Sequence, residues 1–130
     1  MKVNSAIKID TKSVDDFCTK YIHFLRPLHR LPDKEVEVLA HLVKYWLILE
    51  KQLHKERLIN DALYGKEITK KIVEECNIKV SNYRVIISSL RRKGIIDNRT
   101  IDKMYIPKVV NLKKGECYKH LILLNWDYDI

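Results

Sequence analysis

The stretch EITKKIVEECNIKVSNYRVIISSLRRKGIID, residues 67–97, decides the fold, because two short helical patterns follow each other within it. In the first pattern apolar residues recur three and four positions apart until Asn77, a residue that tolerates left-handed geometry. The second pattern begins near Ser81, which can cap a helix, and ends at Gly94. Its inward face consists of Tyr83, Ile86, Ile87 and Leu90. The sequence therefore predicts a helix, a tight turn and a second helix.

A longer helix is predicted upstream of this pair, in DKEVEVLAHLVKYWLILEKQL (33–53). Its apolar stripe is wide, which indicates burial on two sides, and Asp33 is placed to cap it. Nearer the N-terminus, Ser13 fits a capping box for a helix from about Val14 to Arg26, which Pro27 should end. Residues 56–65 have a less regular pattern and are expected to form a linker.

Extended structure is predicted at both ends of the helical region. After Gly94, the run 95–106 suggests a hairpin made of Ile95–Ile96, a polar turn (97–100) and a second short strand. A last strand is expected over about 117–126, and residues 3–9 suit a short strand or an ordered arm. The predicted fold class is thus mainly α with a small β-hairpin (α+β), a helical N-terminal extension and a C-terminal strand.

The positive charge of the chain is concentrated in one segment. The 130 residues suit one domain that folds as a unit, and their formal net charge is +8. Residues 66–114 contain thirteen Lys or Arg against five Asp or Glu, whereas the remainder has twelve of each. All of the excess therefore lies in the segment that contains the helix pair, where it would attract an anionic partner.

Several classes of function have no pattern behind them. The N-terminus lacks the apolar region of a signal peptide, and the apolar runs are too short to span a membrane. Cys18, Cys76 and Cys117 are widely spaced, which favours a reducing setting and small core residues over disulfides. The histidines lack metal-ligand spacing, and no phosphate loop or nucleophile motif occurs. We therefore expect no enzyme activity, no metal, no cofactor and no membrane partner.

The order of the predicted elements resembles a winged helix-turn-helix domain. Residues 67–97 carry this resemblance, and DKEVEVLAHLV resembles the first helix of such domains. The matching core covers about 33–106 within a domain spanning 31–130, while residues 1–30 form an additional arm and helix. The stretch between the first two core helices, about 50–66, is longer than such domains need. The resemblance implies a DNA-binding protein, a regulator of transcription or replication.

The resemblance also implies which residues contact double-stranded DNA. The second helix of the pair would lie in the major groove and present the side chains opposite its buried face. Arginine pairs with guanine and asparagine with adenine, while serine, lysine and the remaining arginines reach phosphates. The candidates on this helix and its end are Ser81, Asn82, Arg84, Ser88, Ser89, Arg91, Arg92 and Lys93. Those outside it are Lys70 and Lys71 on the preceding helix, Arg99 at the hairpin tip, and Lys103.

A second hypothesis belongs to another class of protein. The C-terminal part, IDKMYIPKVV and YKHLILLNWDYDI, is similar to small proteins encoded by tailed bacteriophages, some of them virion components. Basic residues at a helix C-terminus are also favoured by the helix dipole alone. The winged helix would then be a protein-docking module in a homo-oligomer or among phage structural proteins, for example in a head-to-tail connector ring. The location would be cytoplasmic, in the host cytoplasm or the virion if the protein is phage-encoded.

Overall fold

The protein is mainly α-helical, with two small antiparallel sheets in the part of the chain that the computed structural model describes. The structure describes residues 2–11, 14–107, 109–111 and 118–127, and side chains over 17–107. Its helices are α1 (Val14–Phe24), α2 (Arg26–His29), α3 (Asp33–Leu53), α4 (Glu56–Leu63), α5 (Lys66–Cys76) and α6 (Val80–Arg92). Its strands are β1 (Lys2–Thr11), β2 (Ile96–Asp97), β3 (Thr100–Ile101), β4 (Val109–Asn111) and β5 (Tyr118–Asp127).

Helix α3 is the centre of the helical region, and α1, α4, α5 and α6 all pack against it. Val38 and Leu42 are buried together with Leu39 and Val43, so the wide apolar stripe is covered on two sides as predicted. The expected cap at Asp33 is wrong. Pro32 occupies the N-cap position, and the Asp33 carboxylate instead lies 2.8 Å from the Arg26 guanidinium.

The first helix ends two residues earlier than the predicted end at Arg26. Helix α1 stops at Phe24, and Pro27 lies in the first turn of the short helix α2, where proline needs no amide hydrogen. Phe24 and Leu28, which continue the apolar spacing of α1, are 47% and 57% exposed. Both side chains therefore lie largely outside the core. The Ser13 side of the predicted capping box lies outside the described residues.

Most of the expected linker, residues 56–65, is helical, because α4 spans Glu56–Leu63. Ile59 and Leu63, one helical turn apart, are both buried in the core region beside α3. Their burial stabilises a helix whose sequence shows only a short apolar pattern. The additional length between α3 and α5 is therefore an ordered element, α4.

The predicted helix, turn and helix in residues 67–97 are confirmed. Asn77 has a φ of 52°, and the amide of Ile78 donates to the Val73 carbonyl oxygen at 3.1 Å. Gly94 has a φ of +78°, and the amide of Ile95 donates to Leu90 O at 3.0 Å. Both endings are the left-handed reversal that satisfies the last carbonyl groups of a helix. Ser81 is not the cap that was expected, since α6 begins at Val80 and Lys79 precedes it.

The hairpin after α6 is shorter than predicted. Strands β2 and β3 contribute two residues each, and their turn residues Asn98 and Arg99 have φ values of 48° and 66°. Positive φ at both positions is typical of the type I′ turn that suits the twist of a hairpin. Residues 103–105, expected in the second strand, form a 3₁₀ turn because the Asp102 carboxylate accepts the Met104 amide at 3.0 Å.

The two ends of the chain meet in a three-stranded sheet with the order β1–β5–β4. Strands β1 and β5 pair antiparallel over ten residues, from Lys2 with Asp127 to Thr11 with Tyr118. Strand β4 pairs with the middle of β5. The strands expected over 3–9 and 117–126 are thus confirmed, with Cys117 outside the described residues.

Candidate nucleic-acid interface

The exposed side of α6 lies opposite its buried face. Tyr83, Ile87 and Leu90 point into the core, so residues that are half a helical turn away face solvent. We define the outer face of α6 as Ser81, Arg84, Val85, Ser88, Arg91 and Arg92. All six residues are exposed. Asn82 is also exposed and lies at the edge of this face.

The outer face of α6 is positively charged and has no opposing charge within its own helix. Residues 80–92 contain three arginines and no acidic residue. Arg84, Arg91 and Arg92 form no ion pair with any other residue in the described ranges. No side chain caps the first turn of the helix, so its amide groups also carry positive partial charge toward solvent. The surface therefore favours an anionic ligand.

Ser89 and Lys93, both predicted contact residues, share one intramolecular partner. Glu35 of α3 accepts a hydrogen bond from the Ser89 hydroxyl at 2.9 Å and another from Lys93 Nζ at 2.8 Å. The Glu35 side chain is only 13% exposed, so these bonds are partly protected from water. Ser89 and Lys93 therefore fasten α6 to the start of α3 and fix the direction in which the outer face points.

The hairpin tip is held against α4. Arg99 Nη1 lies 3.5 Å from the Asp61 carboxylate, and Asn60 Nδ2 lies 3.5 Å from Thr100 Oγ1. Burial raises the pKa of the Tyr64 hydroxyl, and the neighbouring Tyr83 raises this pKa further. The nearby positive charges of Arg91 and Arg99 lower it. The charges of Arg99 on the hairpin and Arg91 on α6 thus both act on the Tyr64 hydroxyl.

The remaining predicted contacts are exposed lysines in other elements. Lys70 and Lys71 lie on α5. Lys71 Nζ is 3.7 Å from the carboxylate of Glu67, which lies one turn earlier in the same helix. Lys103 begins the 3₁₀ turn and does not belong to the hairpin. That turn is fastened to α1, because the Tyr21 hydroxyl donates to the Met104 carbonyl oxygen at 2.8 Å.

A polar cluster between α3 and α5 supports the helix pair, and the sequence did not reveal it. The Glu75 carboxylate accepts hydrogen bonds from the Tyr45 hydroxyl and, at 2.8 Å, from Lys44 Nζ. His41 Nε2 lies 3.5 Å from the same carboxylate. Burial raises the pKa of Glu75, but the bonds from Lys44 and Tyr45 outweigh it and hold that pKa below its ordinary value. The cluster ties α5, and with it α6, to α3.

Other chemistries have little support in the described residues. Burial raises the pKa of the Cys76 thiol to about 11, so the thiol beside His41 stays protonated at neutral pH. No group of three or more His, Cys, Asp or Glu is arranged to hold a metal ion within the described ranges. In the same part of the chain, no helix has the length and apolar character required to cross a membrane.

Comparison with protein-family models, curated proteins and solved structures gives no match for this chain. The site is therefore interpreted from its own geometry.

The geometry of α6 adds one residue to the contacts predicted from sequence. Val85, which helical spacing places outward or flanking but which is not among the predicted contacts, is 64% exposed near the middle of the outer face.

Proposed function

We propose that the protein binds double-stranded DNA without catalysing a reaction, as a winged helix-turn-helix regulator of transcription or replication. The observation that carries this proposal is the outer face of α6, on a helix that contains no acidic residue. Its three arginines form no ion pair with any residue whose side chain the structure describes. The order of α3, α5, α6 and the β2–β3 hairpin supports it, since it is similar to that of winged helices. The excess charge of residues 66–114 supplies long-range attraction to DNA.

The exposed residues divide into two roles in this proposal. Arg84 suits bidentate pairing with guanine, Asn82 suits adenine, and Ser88 is short enough to let the helix approach the groove closely. Arg91 and Arg92, at the end of α6, are positioned for phosphates, as are the amide groups of its first turn. Lys70 and Lys71 of α5 would add phosphate contacts from the preceding helix, as the first helix of such a pair crosses the DNA backbone.

Binding to duplex DNA tests this proposal directly. Fluorescence anisotropy with a pool of random-sequence duplexes measures the affinity of the wild type and of Arg84→Ala/Arg91→Ala at low salt. We expect the double variant to bind at least about 10-fold more weakly, because two charged contacts are lost. The matched control Lys51→Ala/Arg57→Ala removes the same charge from exposed positions outside residues 66–114 and should bind like the wild type. Equal affinity of the wild type and Arg84→Ala/Arg91→Ala would refute the proposal.

A protein-docking role as a phage structural protein is the second candidate, and one surface favours it. Phe24 and Leu28 are large apolar residues exposed on α1 and α2. Next to them is an open groove of about 570 Å³, lined by Arg26, Pro27, Arg30, Leu31 and Pro32. Light scattering after size exclusion distinguishes the candidates. A large ring that does not bind duplex DNA supports docking, and a monomer or dimer that binds it supports the regulator.

A further inference from the structure

Val85 is an apolar residue in the middle of a charged and polar surface. It lies four residues after Ser81 and three before Ser88, so these small side chains are its neighbours along the outer face. Neither serine is large enough to cover it, and Val85 remains 64% exposed. Arg84 is the preceding residue of the chain, and Arg91 and Arg92 lie almost two turns further along α6.

This position gives valine no evident advantage in the isolated protein. A β-branched residue has lower helix propensity than Lys, Gln or Arg, which are suited to a solvated helix surface. In a helix, however, valine is held mainly in one side-chain rotamer, so it loses little conformational entropy when a ligand covers it. An apolar, stiff side chain at the centre of a surface that faces DNA fits an apolar group at the floor of the major groove.

We propose that Val85 contacts the 5-methyl group of thymine and so makes the protein prefer thymine at one position of its binding site. This inference rests on the proposed DNA binding and deepens it. The thymine methyl is the apolar group that bases display in the major groove, and small apolar side chains recognise it. Arg84 and Arg92 would then fix the helix in the groove, and Val85 would supply discrimination through an apolar contact in addition to hydrogen bonds.

Replacing thymine by uracil removes this methyl group and leaves every hydrogen-bonding group of the base in place. A high-affinity duplex is first selected from a random pool with the wild-type protein. Each thymine is then replaced in turn by uracil, and the affinity is measured by anisotropy. We expect one or two replacements to weaken wild-type binding about 4-fold, the effect of one buried methyl group. Val85→Ala should bind the thymine duplex more weakly and should be indifferent to those replacements.

Val80→Ala is the matched control, because Val80 is also exposed and apolar but lies outside the outer face. It should keep the full uracil effect. The inference is overturned if the selected site contains no thymine, if no uracil replacement weakens wild-type binding, or if Val85→Ala retains the effect. These results leave DNA binding itself intact. Failure of the wild type to bind any duplex would overturn the proposed function as well, so the two failures are distinguishable.

Discussion

Glu75 is the residue that most directly fastens α5 to the central helix. Its carboxylate receives a hydrogen bond from Lys44, whose ammonium group is 2.8 Å away although Lys44 is only 6% exposed. The hydroxyl of Tyr45 donates to the other carboxylate oxygen. A lysine this deeply buried is tolerated when a carboxylate and further hydrogen bonds compensate for its lost hydration. The charge of Glu75 therefore contributes to the stability of the fold.

The variant Glu75→Gln should unfold more readily at pH 7, by about 1–3 kcal/mol, because it keeps the shape and removes the charge. The pKa of Glu75 is lower in the folded chain than in the unfolded chain. The charge thus stabilises the fold above the unfolded-state pKa, and this contribution is lost as the pH falls through the folded-state pKa. The difference between wild type and variant in urea unfolding should shrink as the pH falls below the ordinary glutamate range.

Glu74→Gln is the control for this pH dependence, because Glu74 is the exposed neighbour of Glu75 and forms no ion pair within the described residues. Its unfolding free energy should follow that of the wild type at every pH. A difference between wild type and Glu75→Gln that stays constant from pH 7 into the acid range would contradict the role assigned to the charge.

The sequence predicted the burial of residues that follows from local helical spacing. It missed contacts between residues that are distant along the chain. The inward positions of Tyr83, Ile87 and Leu90 follow from helical spacing alone, and the structure confirms them. Glu35 contacts Lys93 across 58 positions, and Lys44 contacts Glu75 across 31. No local pattern marks a carboxylate as the partner of such a residue. For this reason the sequence did not show that Ser89 and Lys93 attach α6 to α3.

At the scale of elements, the direction of the hairpin depends on how α6 ends. Gly94 has a φ of +78°, and its amide donates to the Arg91 carbonyl oxygen at 3.1 Å. The next residue, Ile95, is buried and leads directly into β2. A residue with a side chain rarely adopts this left-handed conformation, whereas glycine adopts it without strain. Gly94 thus allows the chain to reverse within the three residues, 93–95, that separate α6 from β2.

The variant Gly94→Ala should lower the unfolding free energy by about 1 kcal/mol, since alanine is strained in left-handed geometry. A Cβ atom at this position would meet no heavy atom within 4 Å, so the expected loss comes from the backbone and not from a steric clash. Thermal unfolding measures the effect. Ser88→Ala, at an exposed position inside α6, is the control and should be neutral or slightly stabilising. A Gly94→Ala protein as stable as the wild type would exclude this explanation.

Elements with a strong periodic pattern were predicted, and those formed by tertiary contacts were not. Helices α3, α5 and α6 have apolar residues at helical spacing and lie where the sequence placed them. Helix α4 is stabilised by burial of Ile59 and Leu63, and this depends on α3 being nearby. The second hairpin strand was predicted too long because Asp102 turns the chain, through a bond to a backbone amide that alternating hydrophobicity does not show.

At the scale of the whole molecule, the chain ends pair with each other instead of extending separately. Strands β1 and β5 were predicted as extended segments, but their partnership was not. They are separated by more than one hundred residues, and bringing such distant segments together carries an entropic cost that local sequence does not reveal. Among the residues whose side chains the structure describes, the core extends from Phe17 to Tyr105.

The charge distribution of the whole molecule gives a quantitative test of how it would bind DNA. If the proposed function is right, binding releases counterions, and the logarithm of the affinity falls linearly with the logarithm of the salt concentration, by about 0.9 for each phosphate contacted. Arg91 and Arg92 are exposed at the end of α6 and form no ion pair in the described ranges. Arg91→Ala/Arg92→Ala should therefore reduce this slope by about 2 and weaken binding equally for different duplex sequences.

Arg84→Ala should behave differently, because a base contact affects specificity. We expect it to reduce the preference for the selected duplex over a random one, with a smaller change in salt slope than for Arg91→Ala/Arg92→Ala. The control Lys51→Ala/Arg57→Ala removes two positive charges, as Arg91→Ala/Arg92→Ala does, and should keep the wild-type salt slope. If all three variants changed the slope according to net charge alone, DNA would be attracted by the whole molecule and no defined phosphate contacts would lie at the end of α6.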